Sequence, residues 1–163
     1  MNQRQLEDAL LTFLKDNILI VGIGNELRAD DGVGPELIKR INTRIAARCI
    51  DAGMSPENYI GAIIKLRPEL LIFIDACNFN ASAGTIKLIH AAEIPLYGFS
   101  THNMSPKLMI ENIASQVSVT MLMIGIQPKS IEFAEGFSRE VLQSISVIES
   151  TLIKLLGHEK TKE

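Results

Sequence analysis

The chain is poor in the features that would give several large classes of protein away. It has two cysteines, Cys49 and Cys77, which form neither a C-x-x-C pair nor a disulfide framework. Both read as small buried hydrophobes, and a reducing cytoplasm is the expected compartment. It has no excess of positive charge: 16 Lys and Arg face 19 Asp and Glu, for a net charge of −3. That balance argues against a nucleic-acid partner. No apolar run is long enough to span a bilayer, so no membrane insertion is expected. Lys15 and Asp16 break the early apolar region and no small-residue cleavage site precedes them, so it does not read as a secretory leader. Repeats, low-complexity tracts and linkers are missing too, as are a Walker A sequence and a G-x-S-x-G elbow.

What is present is a core-forming chain. Hydrophobic residues make up 47% of 163 residues, which suits one domain over 1–163. Leu6, Leu10, Phe13 and Leu14 share a helical face, so 1–16 is read as an N-terminal helix. The solid apolar runs Ile18–Ile23 and Leu70–Ile74 predict buried strands, and Val117–Ile126 a third. Arg48–Asp51 predicts a short strand and the alternating Thr85–Ile89 an edge strand. Between them lie helical segments. Pro35 sits early in one, with Leu37, Ile38, Ile41 and Ile45 as its buried stripe. Ser55 is expected to cap a second that Arg67-Pro68 ends, and Ser105-Pro106 opens a third. A final helix carries Val141, Ile145, Ile148, Leu152 and Leu155 and closes near Gly157. This alternation predicts a three-layer α/β fold: a twisted, mostly parallel (mixed) sheet of about five strands with helices on both faces. Right-handed crossovers then place the carboxyl ends of the parallel strands on one side, where open α/β sheets bind ligands.

The segment delivered to that side after the first strand is Gly22-Ile-Gly24-Asn25-Glu26-Leu27-Arg28-Ala29-Asp30-Asp31-Gly32-Val33-Gly34-Pro35. It carries two adjacent carboxylates between glycines. A dinucleotide fingerprint would need its third glycine where Leu27 stands, and two negative charges repel a pyrophosphate. Asp75 ends an otherwise apolar strand, where a carboxylate is costly unless it is paired or used. Thr101-His102-Asn103 precedes the Ser105 helix on the same side. Two carboxylates and an imidazole converging there would suit Ni, Zn or Fe, with a position left open for chemistry. Asp30 or Asp31 could instead serve as a helix N-cap. The apolar stretch around Phe133 and Phe137 could dock a partner or simply begin a helix.

The segment from Gly24 to Gly34 resembles the G-N-x-L-x-x-D-D/E-G-x-G signature of the hydrogenase maturation proteases. Asp51-Ala52-Gly53-Met54-Ser55-Pro56-Glu57-Asn58 resembles their D-G-G-x-x-P-E-N segment, with Ala52 standing where a glycine is common. Ile74-Asp75-Ala76, Thr101-His102-Asn103-Met104 and Gly125-Ile126-Gln127-Pro128 resemble three further family segments in order. The wording is most similar to the hydrogenase-3-type branch, and relative to shorter members residues 1–16 form an extension. The resemblance implies an endopeptidase, of metal-dependent or aspartyl type, that trims a C-terminal peptide from the precursor of a [NiFe]-hydrogenase large subunit. Carried over by position, the metal-contacting and catalytic trio is Asp31, Asp75 and His102, with Asp30 in the motif but outside the trio. Nickel would be supplied by the precursor, with none held at rest. A monomer is expected, since a large protein partner must reach the open edge. The alternative within the same resemblance is a nickel-sensing binder or chaperone of the precursor that does not cut it.

Overall fold

The computed structural model describes residues 1–97 and 104–158. Five strands form one sheet: β1 (Ile18–Ile23), β2 (Arg48–Gly53), β3 (Leu70–Ala76), β4 (Ile86–His90) and β5 (Thr120–Ile126), in the order β2-β1-β3-β5-β4. The first three and β5 run parallel, and β4 pairs antiparallel with β5 at one edge, so the sheet is mixed as expected. The last parallel strand begins at Thr120 rather than Val117, because Val117 is the C-cap of the preceding helix.

Helices α1 (Gln3–Leu11), α2 (Val33–Ile41), α3 (Ile60–Leu66), α4 (Ile94–Tyr97), α5 (Pro106–Gln116) and α6 (Arg139–Leu156) cover both faces. The runs Ile18–Ile23, Leu70–Ile74 and Met121–Ile126 of the central strands are apolar because each face meets its own core. Even-numbered residues such as Ile20, Ile72, Ile74 and Ile124 pack with α1, α2 and α6. Odd-numbered ones such as Val21, Phe73 and Met123 pack with α3 and α5. Phe13, Leu14 and Ile45 lie beyond the ends of their helices yet still pack on the first core.

Glycine decides how closely α2 lies on the sheet. A Cβ on Gly22 would sit 2.5 Å from the Gly34 carbonyl oxygen. One on Gly34 would sit 2.3 Å from the oxygen of Ile23 and 2.5 Å from that of Ile74. The two glycines let the start of α2 rest directly on the ends of β1 and β3. Ser55 makes no side-chain cap. Pro56 instead opens a 3₁₀ turn (Pro56–Tyr59) that leads into α3, and its ring presets the backbone without a cap. The positive φ of that region falls on Gly53 at 54°, so Ala52 occupies its place without strain.

Candidate active site

The turn after β1 is where the two aspartates part company. Residues 29–32 form a 3₁₀ turn that runs straight into α2. Neither aspartate caps a helix: the residues at the cap positions are Arg28 and Gly32, and neither makes a side-chain capping bond. Asp30 is 1% exposed and turns inward. Its Oδ2 accepts from the backbone N–H of Lys129 at 2.8 Å, that of Ser130 at 3.3 Å and the Ser138 hydroxyl at 2.9 Å. Its Oδ1 accepts from the Ser138 N–H at 2.7 Å. A buried carboxylate without such donors would cost several kcal/mol; here about every lone pair is answered. The expected helix cap is therefore a clamp between the turn and segment 129–138.

Asp31 stays half-buried and faces the strand ends. Its Oδ2 accepts the Asn25 N–H at 2.9 Å. Gly24 is needed directly beneath it, because a Cβ there would lie 1.9 Å from the Asp31 carbonyl oxygen. Asp75 is 4% exposed at the end of β3, on the odd-numbered face. Burial pushes its carboxyl well above the usual range. The negative charge of Asp31 adds to that effect, and a backbone hydrogen bond from Ala76 opposes it. Two carboxylates from distant parts of the chain thus act on each other at the carboxyl end of the sheet. A pair of this kind can hold a proton between two acids or take up a cation. His102 lies outside the described residues. Among the described residues, no three His, Cys, Asp or Glu side chains form a metal-binding group.

A cleft of about 370 Å³ opens at the carboxyl ends of β1 and β2, lined by Gly24, Asn25, Glu26, Asp51, Met54 and Tyr59 among others; Asn25, which bonds to Asp31, is on its wall, while Asp31 and Asp75 are not. Asp51 serves its own loop, accepting the Gly53 N–H at 3.0 Å. On the other side, Leu27, Ile131 and Phe133 are exposed, and Arg28 stacks over the Phe133 ring at 5.4 Å. Phe137 packs against the core instead, so only Phe133 of that stretch is a free apolar surface. Cys77, two residues beyond Asp75, is buried and its thiol is pushed far up by burial and by Asp75. It is no nucleophile.

The family model for HycI, described as hydrogenase maturation protease, matches residues 33–155. The chain belongs to the hydrogenase maturation protease family. The hydrogenase 3 maturation protease of Escherichia coli K12 is 28% identical over 133 residues, covering 80% of this chain and 85% of that one. The crystal structure of a [NiFe] hydrogenase maturation protease from Thermococcus kodakarensis KOD1 superposes with a TM-score of 0.80 at 27% identity, covering 93% of this chain and 98% of the other. That of the Hydrogenase 3 maturation protease gives 0.75 at 27% identity over 83% and 88%. The protein is accordingly a peptide-bond hydrolase of hydrogenase maturation. No helix among the described residues is long and apolar enough to cross a membrane.

In this maturation protease the supporting roles of two residues already named from the sequence escaped sequence reasoning. Asp30 is one. Gln127 is the other: its Oε1 accepts from the Phe79 N–H at 2.6 Å and its Nε2 donates to the Asn78 side chain at 3.3 Å. It thereby fixes the loop that leaves Asp75. The signal was available, since Gln127, like Asp75, is a polar residue closing an apolar strand.

Proposed function

We propose that this protease removes a C-terminal peptide from the nickel-loaded precursor of a [NiFe]-hydrogenase large subunit, in the cytoplasm, and that Asp31, Asp75 and His102 engage the nickel. The observation that supports it most is the mutual influence of Asp31 and Asp75, with the Asp75 carboxyl raised by burial and by its neighbour's charge. Such a pair is unfavourable as two anions until a cation arrives. Nickel comes in on the substrate, and both carboxylates become ligands to it. The cation polarises the scissile carbonyl or activates a water beside it, so cutting awaits a correctly metallated precursor. The names of the relatives, which concern hydrogenase maturation and hydrogenase 3, support the same substrate class.

The test is to mix the protein with nickel-loaded and nickel-free precursor and weigh the large subunit. Loss of a C-terminal fragment from the nickel-loaded form alone is expected. A stable complex of unchanged mass would instead mark a nickel-sensing binder and overturn the proposal.

A further inference from the structure

Asp30 and Asp31 are adjacent, yet Asp30 is buried in a set of four hydrogen bonds while Asp31 stays half-buried and bonds to the Asn25 amide. We propose that Asp30 is a positioning residue for the reaction: it locks the strained turn at 28–31 so that Asp31 keeps its place at the carboxyl end of β1. This deepens the reading above and rests on Asp31 being a working carboxylate.

Four hydrogen bonds from three residues converge on the Asp30 carboxylate. Four donors around one side chain demand a group that only accepts; an amide in its place sets N–H against N–H. The turn it anchors is strained. Ala29 has φ +47°, a region costly for a residue with a side chain. Such a conformation persists only where its surroundings dictate it. Here the Ala29 N–H bonds to the Ala134 oxygen at 3.0 Å, the Asp30 N–H to the Ser130 oxygen at 3.2 Å, and the Ala134 N–H to the Leu27 oxygen at 3.2 Å. Arg28 Nε adds a bond to the Ile131 oxygen at 2.9 Å. These contacts all tie the turn to 129–138, and Asp30 supplies the buried, four-bonded centre of them. The next residue is Asp31, whose N–H closes the turn on the Arg28 oxygen at 3.0 Å and whose Oδ2 meets the Asn25 amide. If the clamp is released, Ala29 relaxes toward negative φ and Asp31 swings with it.

The test compares Asp30→Asn and the milder Ser138→Ala, which removes one donor to Asp30 together with the α6 cap, by two readouts. The first is the amide resonance of Asn25, which touches Asp31 but not Asp30. The second is the split between kcat and KM on nickel-loaded precursor. The expected result is a displaced Asn25 resonance and kcat lowered by roughly 100-fold in Asp30→Asn, the scale of a misplaced catalytic group, with KM within about twofold. Ser138→Ala moves both readouts in the same direction by less. An unmoved Asn25 resonance, or a raised KM at unchanged kcat, would show that Asp30 merely secures segment 129–138. Should Asp30→Asn fail to fold, Ser138→Ala alone decides by the same two outcomes. The resonance needs no substrate. A wild-type protein that cuts nothing would thus sink the proposed function while leaving the link between Asp30 and Asp31 open to direct measurement.

Discussion

The two ends of the sheet are built on different terms. At the amino ends of β1 and β2 lies a cavity of about 790 Å³, lined by Lys15, Arg48, Ala47, Leu155 and their neighbours. At the carboxyl ends of β1 and β2 a cleft among the described residues measures about 370 Å³. The same end of the sheet carries the buried acid, the interlocked glycines and the strained turn. The larger is a gap where α6 and two strand starts fail to meet, with side chains that reach water. Constraint, rather than volume, separates a place that does chemistry from one left over by packing.

The sharpest way to break that contrast is Asp75→Asn. Cleavage of nickel-loaded precursor, followed by mass spectrometry, is expected to fall by about 10³-fold. The fold should survive, because an amide is easier to bury than an anion. The pH dependence of stability checks the cause. The raised carboxyl means the folded state binds that proton more tightly than the unfolded chain. Its contribution is complete below the ordinary carboxylate range and is lost as pH rises toward the folded value. Thermal melting of the wild type should therefore decline over that span, and Asp75→Asn should flatten the decline.

Next in size is Gly34→Ala. The added methyl meets backbone on β1 and β3, which cannot step aside. A loss of about 3 kcal/mol is expected in urea unfolding. Third, Cys77 at the carboxyl end should resist alkylation in the native protein, whereas the half-buried Cys49, its thiol pushed up to about 11 by burial, should react slowly. Last, Arg48→Ala at the larger cavity should leave cleavage within about twofold and stability within about 0.5 kcal/mol. A large loss of cleavage there would overturn the contrast itself.

Much of this was legible in the sequence. Unbroken runs such as Leu70–Ile74 announce strands buried on both faces, and Asp75 stands out because it ends one. The resemblance of the segments from Gly24 to Pro128 implies Asp31 as its partner. The role of Asp30 was not legible. Its partners Lys129, Ser130 and Ser138 lie about a hundred residues away and contribute mostly backbone N–H groups, which carry no side-chain signature. Ser55 misled for the opposite reason: a local capping signal was overridden by the 3₁₀ turn that Pro56 begins. Ser138, which does cap α6, was masked by the stronger apolar stripe that follows it.

The seating of α2 against β1 and β3 carries a consequence for heat. Asp31 rides at the head of a helix on one side of the sheet, while Asp75 belongs to the opposite side by strand alternation. The pair exists only while that helix stays docked at its present depth. Warming that loosens this single joint would disperse the two acids before the strands part, so catalysis should fade at temperatures where the circular dichroism of the sheet is still intact.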